Sequence, residues 1–159
     1  MHKTRNDLAA NTRKTVIEIL NARLADLVDL QLALKHAHWN VKGPHFIALH
    51  EMFDAMTDSY DAHVDDMAER ITALGGTAMG SVQAVGVATS LEPWPTDLSD
   101  GLKVVEALAA RTAAAAKAVR KAIDETAEAG DADAADILTA LSRQLDKNLW
   151  FLESHLQKG

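Results

Sequence analysis

Apolar residues recur three or four positions apart through most of the chain, and that spacing predicts helices. Over about residues 12–41, Val16, Leu20, Leu24, Leu27 and Leu34 form one stripe, with Arg13, Glu18 and Arg23 between them. Gly43-Pro44 ends this element, because proline lacks a donor N–H and disfavours helical geometry in the residue before it. A second stripe of Phe46, Leu49, Phe53, Met56, Tyr60, Val64, Met67, Ile71 and Leu74 predicts one unbroken helix from near His45 to Gly75-Gly76. Beyond it, as far as Pro95, the pattern lapses into small residues. Residues 82–87 are expected to make a turn or two of helix there, and Glu92-Pro93-Trp94-Pro95 must be irregular. Asp97 or Ser99 is expected to cap a third helix that runs to about Glu128 and stops at Gly130. A fourth covers about residues 133–157, on Ile137, Leu141, Leu145, Leu149 and Leu152.

Four long helices with one long middle connection predict an all-α four-helix bundle, with a short crossover helix where the chain passes from one helix pair to the other. A length of 159 residues suits one domain, 1–159, preceded by a short N-terminal tail of about residues 1–10. The absence of cysteine excludes disulfides and thiolate metal sites, and fits a reducing, cytoplasmic setting. No apolar stretch is long enough for a membrane span, and the first ten residues hold no signal-like apolar run. A formal charge of −7 argues against passive adhesion to nucleic acid or anionic lipid and suits attraction of cations.

The second helix carries the informative chemistry. Viewed end-on at about 100° per residue, His50, Asp54, Asp58, Asp61, Asp65 and Glu69 fall within one arc beside the apolar stripe. Acidic residues on a solvated face are common, and Asp58 and Asp61 are read that way. His50 with Asp54, and Asp65 with Glu69, are instead i,i+4 chelating pairs bordering apolar surface, where unpaired charge is costly unless a cation neutralises it. His50 and Asp65 are separated by roughly 22 Å of helix, too far for one metal. Two copies packed antiparallel about a two-fold axis bring the pairs together, with two equivalent sites per dimer. His38 extends the inward stripe of the first helix. Alone it reads as a hydrogen-bonded core histidine, but beside the other four it becomes a candidate ligand. Nitrogen with several carboxylate oxygens suits iron, manganese or zinc, with iron the leading choice. No Glu-x-x-His pair, the mark of a di-iron site inside one bundle, occurs in the chain.

His38-Trp39-Asn40-Val41-Lys42-Gly43, followed by Leu49-His50-Glu51-Met52-Phe53-Asp54, resembles the first signature of the Dps family, the DNA-binding proteins from starved cells. Val64-Asp65-Asp66-Met67-Ala68-Glu69-Arg70, running on to Leu74-Gly75, resembles the second. The similarity extends over nearly the whole chain, from Thr4 to Glu153. The resemblance implies a ferritin-like bundle assembled as a hollow shell of twelve identical chains, with iron sites at two-fold interfaces. His38, His50 and Asp54 would come from one subunit, and Asp65 and Glu69 from its neighbour. It also implies oxidation of Fe(II), preferably by hydrogen peroxide, and storage of ferric mineral in the cavity. Trp39 is either an interceptor of stray radicals or interface filling. The resemblance places acidic pores at three-fold axes near Asp131, Asp133 and Asp136, although Asp131 reads equally as a helix cap. His36, His45 and His63 are taken as structural, and Asp58, Asp61 and Asp66 as weak candidates for mineral nucleation.

An iron oxidase and store is one reading. A DNA-compacting nucleoid protein with secondary iron chemistry is another, and an inert helical assembly a third. All five ligand positions are filled, which favours the first. Lys3 and Arg5 in the tail, offset by Asp7, and Lys158 at the other end are few cations for phosphate, so DNA binding is expected to be weak or absent.

Overall fold

The computed structural model describes residues 1–157. Six helices follow one another: α1 Ala10–Asn40, α2 Phe46–Asp58, α3 Asp61–Ala73, α4 Val82–Ala88, α5 Gly101–Glu128 and α6 Ala132–Ser154. α1 packs antiparallel to α2 and α3, α5 packs extensively on α6, and α1 also meets α5. The four long rods, with α2 and α3 counted as one, enclose a core that includes Leu20, Leu24, Leu34, Phe53, Met67, Ile71, Leu108, Leu138 and Leu145. The all-α bundle and its short crossover helix are therefore as the periodicity predicts. Lys158, the cation noted beyond the fourth helix, lies outside the described residues.

The second helix is not continuous. Ser59 and Tyr60 separate α2 from α3. The Ser59 hydroxyl donates to the Met56 carbonyl at 2.7 Å, which in a regular helix would accept from the N–H of Tyr60 four residues on. Tyr60 N instead reaches the carbonyl of Thr57 at 3.1 Å, a tighter 3₁₀-type closure. Serine side chains that compete for helical carbonyls commonly bend helices. The apolar stripe nevertheless continues through the joint, with Met56, Tyr60 and Met67 all buried.

The cap of α5 also differs from expectation. Asp100 fills it, its carboxylate accepting from Lys103 N at 3.1 Å, while the carbonyl of Ser99 is taken by Lys42 N at 2.8 Å. The middle connection is fastened along α1 by buried polar groups. Asp26, only 2% exposed, pairs with Arg23 and accepts from Ser90 N at 2.7 Å. Asp29 accepts from the hydroxyl of Thr89 at 2.7 Å and pairs with buried Arg111 at 2.8 Å. Further along, a ring nitrogen of His36 meets the carbonyl of Thr96 at 3.2 Å.

The tail does not project. His2 N donates to the carbonyl of Gly75, and Arg13 holds the carbonyls of both Leu8 and Leu74. At Gly75 the backbone has φ +88°, and a Cβ there would lie 2.6 Å from the His2 carbonyl oxygen. Glycine is needed at this position on both counts.

Candidate metal centre

The antiparallel register of α1 and α2 sets His38, in the last turn of one, against His50, in the second turn of the other. Their rings stack with centroids 3.7 Å apart and planes inclined by 19°. His38 Nδ1 lies 2.8 Å from the His50 carbonyl oxygen, and His50 Nδ1 lies 2.8 Å from the His38 carbonyl oxygen. A carbonyl only accepts, so each Nδ1 carries the proton and donates it. In each neutral ring the lone pair is then on Nε2, the arrangement that prepares a histidine to ligate a metal.

Asp54, one turn beyond His50, is half-exposed with its Oδ1 4.0 Å from His38 Nδ1. The same oxygen accepts a hydrogen bond from Lys35 Nζ. That bond, reinforced by the positive charge of the ammonium, holds the Asp54 carboxyl below its usual carboxylate range, so it is ionised at neutral pH. Lys35 was not anticipated from the sequence. Its only signal there is its place three residues before His38, on an adjoining part of the same helix face.

Asp65 and Glu69 are exposed on α3, past the joint, and make no side-chain hydrogen bond or ion pair among the described residues. Among the described residues of one chain, no group of three or more histidine and acidic side chains is gathered closely enough to hold a metal ion. His38, His50 and Asp54 are neighbours across α1 and α2, while Asp65 and Glu69 stay apart on α3. On α1, Trp39 is 67% exposed and Leu32 51% exposed, large apolar groups without cover in a single chain.

The remaining candidates separate by environment. Asp61 accepts from Gln31 Nε2 at 2.8 Å. Asp58 and Asp66 are solvated. His45 is exposed at the start of α2, and His63 is half-buried, with burial lowering its pKa against the opposing pull of Asp66. Asp131 is 1% exposed. Its carboxylate accepts from Ala134 N at 3.0 Å as the cap of α6 and is gripped by Arg70. It is therefore the cap of α6. Asp133, paired with Arg70 at 3.2 Å, and Asp136 remain at the surface.

Comparisons with known proteins agree with this architecture. The ferritin family, by its ferritin-like domain, matches residues 17–159. The DNA protection during starvation protein of Agrobacterium fabrum is 53% identical over 157 residues, covering 99% of this chain and 97% of the relative. Among solved structures, Mycobacterium smegmatis Dps in its tetragonal form superposes with a TM-score of 0.94 at 30% identity, covering 100% of this chain and 96% of that one. DpsA14 from Streptomyces coelicolor gives 0.92 at 35% identity, covering 98% and 92%.

Proposed function

This chain belongs to the Dps family of ferritin-like proteins, and from that membership we propose that it is an iron-oxidising and iron-storing mini-ferritin. Fe(II) is its substrate and cargo. His38, His50 and Asp54 of one subunit, with Asp65 and Glu69 of a two-fold neighbour, bind ferrous ions at sites shared between chains. Hydrogen peroxide, preferred over oxygen, takes one electron from each of two ferrous ions, and the ferric product is deposited as mineral inside a hollow shell of twelve subunits. Removing Fe(II) and peroxide together withdraws both ingredients of hydroxyl-radical formation, which is the protective role. The setting is the cytoplasm.

The observation that carries this reading is the reciprocal histidine pair. Each Nδ1 is spent on the other residue's carbonyl, which fixes both rings and leaves the lone pair of each on Nε2, while the ionised Asp54 carboxylate lies 4.0 Å from His38 Nδ1. A purely structural histidine pair has no need of a carboxylate kept charged by a lysine at its edge. The chain's part in the reaction is to bind and orient: the imidazoles supply neutral donors, the carboxylates offset the cation's charge, and a covered interface keeps bulk water away. The acidic total of −7 favours approach of cations over approach of polyanions such as DNA.

The test is His50→Ala combined with Asp54→Ala. Both side chains are partly exposed in a single chain and contribute little to the core, so the shell is expected to assemble with wild-type size while rapid peroxide-driven Fe(II) oxidation falls at least a hundredfold, on the order expected when ligands are removed. Undiminished oxidation in assembled variant shells overturns the assignment.

A further inference from the structure

The two halves of the candidate centre lie on opposite sides of the α2–α3 joint: His50 and Asp54 on α2, Asp65 and Glu69 on α3. In a centre shared about a two-fold axis the pairs that meet come from different chains, so whatever fixes the joint fixes how each chain's two pairs line up with those of its neighbour. Helix α6 supplies the fixing groups. Asn148, 3% exposed, donates from Nδ2 to Ser59 Oγ at 3.1 Å and accepts at Oδ1 from Gln144 Nε2 at 3.0 Å. Ser59 passes the chain on, donating its own proton to the Met56 carbonyl at 2.7 Å.

The direction of this relay is self-consistent. Ser59 has one proton, and Met56 offers only an acceptor, so Ser59 must accept from Asn148. That turns the Asn148 amide nitrogen toward Ser59 and its oxygen toward Gln144, which can donate. Each bond polarises the next, so the relay holds more firmly than its members would alone. Remove it, and the Met56 carbonyl is free to take back the N–H of Tyr60 and straighten the joint.

We propose that the Gln144–Asn148–Ser59 relay is a positioning device for the shared metal centre, setting the angle between α2 and α3 and hence the spacing of the two ligand pairs. The proposal rests on the shared-site reading above. Lever arithmetic gives its weight. Glu69 lies ten residues beyond Ser59, about 15 Å along the helix, so a change of about 10° at the joint moves it roughly 2.5 Å. Metal–ligand distances tolerate only about 0.2 Å. A bend small enough to leave the core packed is therefore large enough to take a ligand pair out of reach.

The experiment is anaerobic Co(II) titration of assembled shells, followed by calorimetry and by the visible absorption of the bound ion, which reports its coordination geometry. Ser59→Ala is expected to keep helicity and shell size, to weaken Co(II) binding about tenfold or more, as removal of groups that orient ligands typically does, and to alter the spectrum. Ser59→Thr, which keeps the hydroxyl, is expected to restore both. Wild-type affinity and spectrum in assembled Ser59→Ala shells overturn the proposal. Should Ser59→Ala fail to assemble, Gln144→Leu at the far end of the relay decides: weakened binding with an altered spectrum supports it, and unchanged binding overturns it. His50→Ala serves as the reference. If it leaves wild-type Co(II) binding intact, the shared-site reading itself fails and takes this proposal with it, an outcome distinct from failure of the relay alone.

Discussion

A histidine that donates through one ring nitrogen has only the other to offer a metal. At His38 and His50 that choice is made twice, by two backbone carbonyls. Asp54 is kept ionised by Lys35, which also balances its charge beside the two rings. Tyr60 is the opposite kind of residue. It is fully buried, burial pushes its phenol pKa up against the opposing effect of the Asn148 amide, and its hydroxyl has no hydrogen-bond partner of acceptable geometry among the described residues. A buried, unpartnered hydroxyl costs about 1 to 3 kcal/mol of desolvation. Tyr60→Phe is accordingly expected to leave the melting temperature of the shell unchanged or raise it by a few degrees, as measured by calorimetry. A clear fall would mean that the hydroxyl is engaged in the assembled protein.

At the scale of elements, the end of α3 and the start of α6 are joined by one buried carboxylate. Asp131 caps α6 and grips Arg70, whose side chain is itself 14% exposed, while Asp133 meets the same guanidinium from the surface. Asp131→Ala removes a cap and strands a mostly buried cation, a loss on the order of 3 kcal/mol or more. Asp133→Ala breaks a surface pair and costs less than about 1 kcal/mol. Chemical denaturation is expected to rank the two in that order, and equal effects would contradict the burial argument. The contrast shows what a sequence yields. Ser, Thr, Asp and Asn announce caps in general, but the cap of α5 is Asp100 and neither Asp97 nor Ser99, and beside it the Ser99 carbonyl is taken by Lys42 N, a tertiary contact that sequence does not show. The α2–α3 joint was invisible for a related reason: Met56, Tyr60 and Val64 keep the helical spacing, so periodicity passes over a break made by a hydroxyl–carbonyl bond. That His50 and Asp54, and Asp65 and Glu69, form i,i+4 pairs was legible because both members of each lie on one helix. Lys35 beside Asp54 was not, because it depends on the register between two.

At the scale of the whole molecule, charge and assembly decide partners. Lys3 and Arg5 lie on a tail stitched back to α3 through His2 and Thr4, not on a free arm, and the chain as a whole carries −7. In the proposed shell of twelve, such tails would add contacts through multivalency, but the cations per copy are few, their attraction for phosphate is itself screened beyond about 8 Å at physiological salt, and the net charge of the chain opposes it. Little or no retention of DNA is expected in a gel-shift assay at about 0.15 M salt and neutral pH, with full iron oxidation by the same preparation. Robust shifts that weaken as salt rises, and vanish when residues 1–7 are deleted, would contradict this. Leu32 and Trp39, uncovered on α1 of a single chain, fit the homo-oligomeric assembly of the family.

The central claim is that each centre is built from two chains. Subunits with His50→Ala and subunits with Glu69→Ala should each assemble into shells that fail to oxidise Fe(II) rapidly. When the two are dissociated, mixed and reassembled, an interface pairing one of each has one centre that has lost both ligands and one that keeps all five. The account predicts that mixed shells of confirmed composition regain a fraction of wild-type peroxide-driven oxidation set by the share of such interfaces, at most about a quarter for equal, random mixing, since half the interfaces then pair unlike chains and each restores one of two centres. No recovery in such shells would place each centre within a single chain and contradict it.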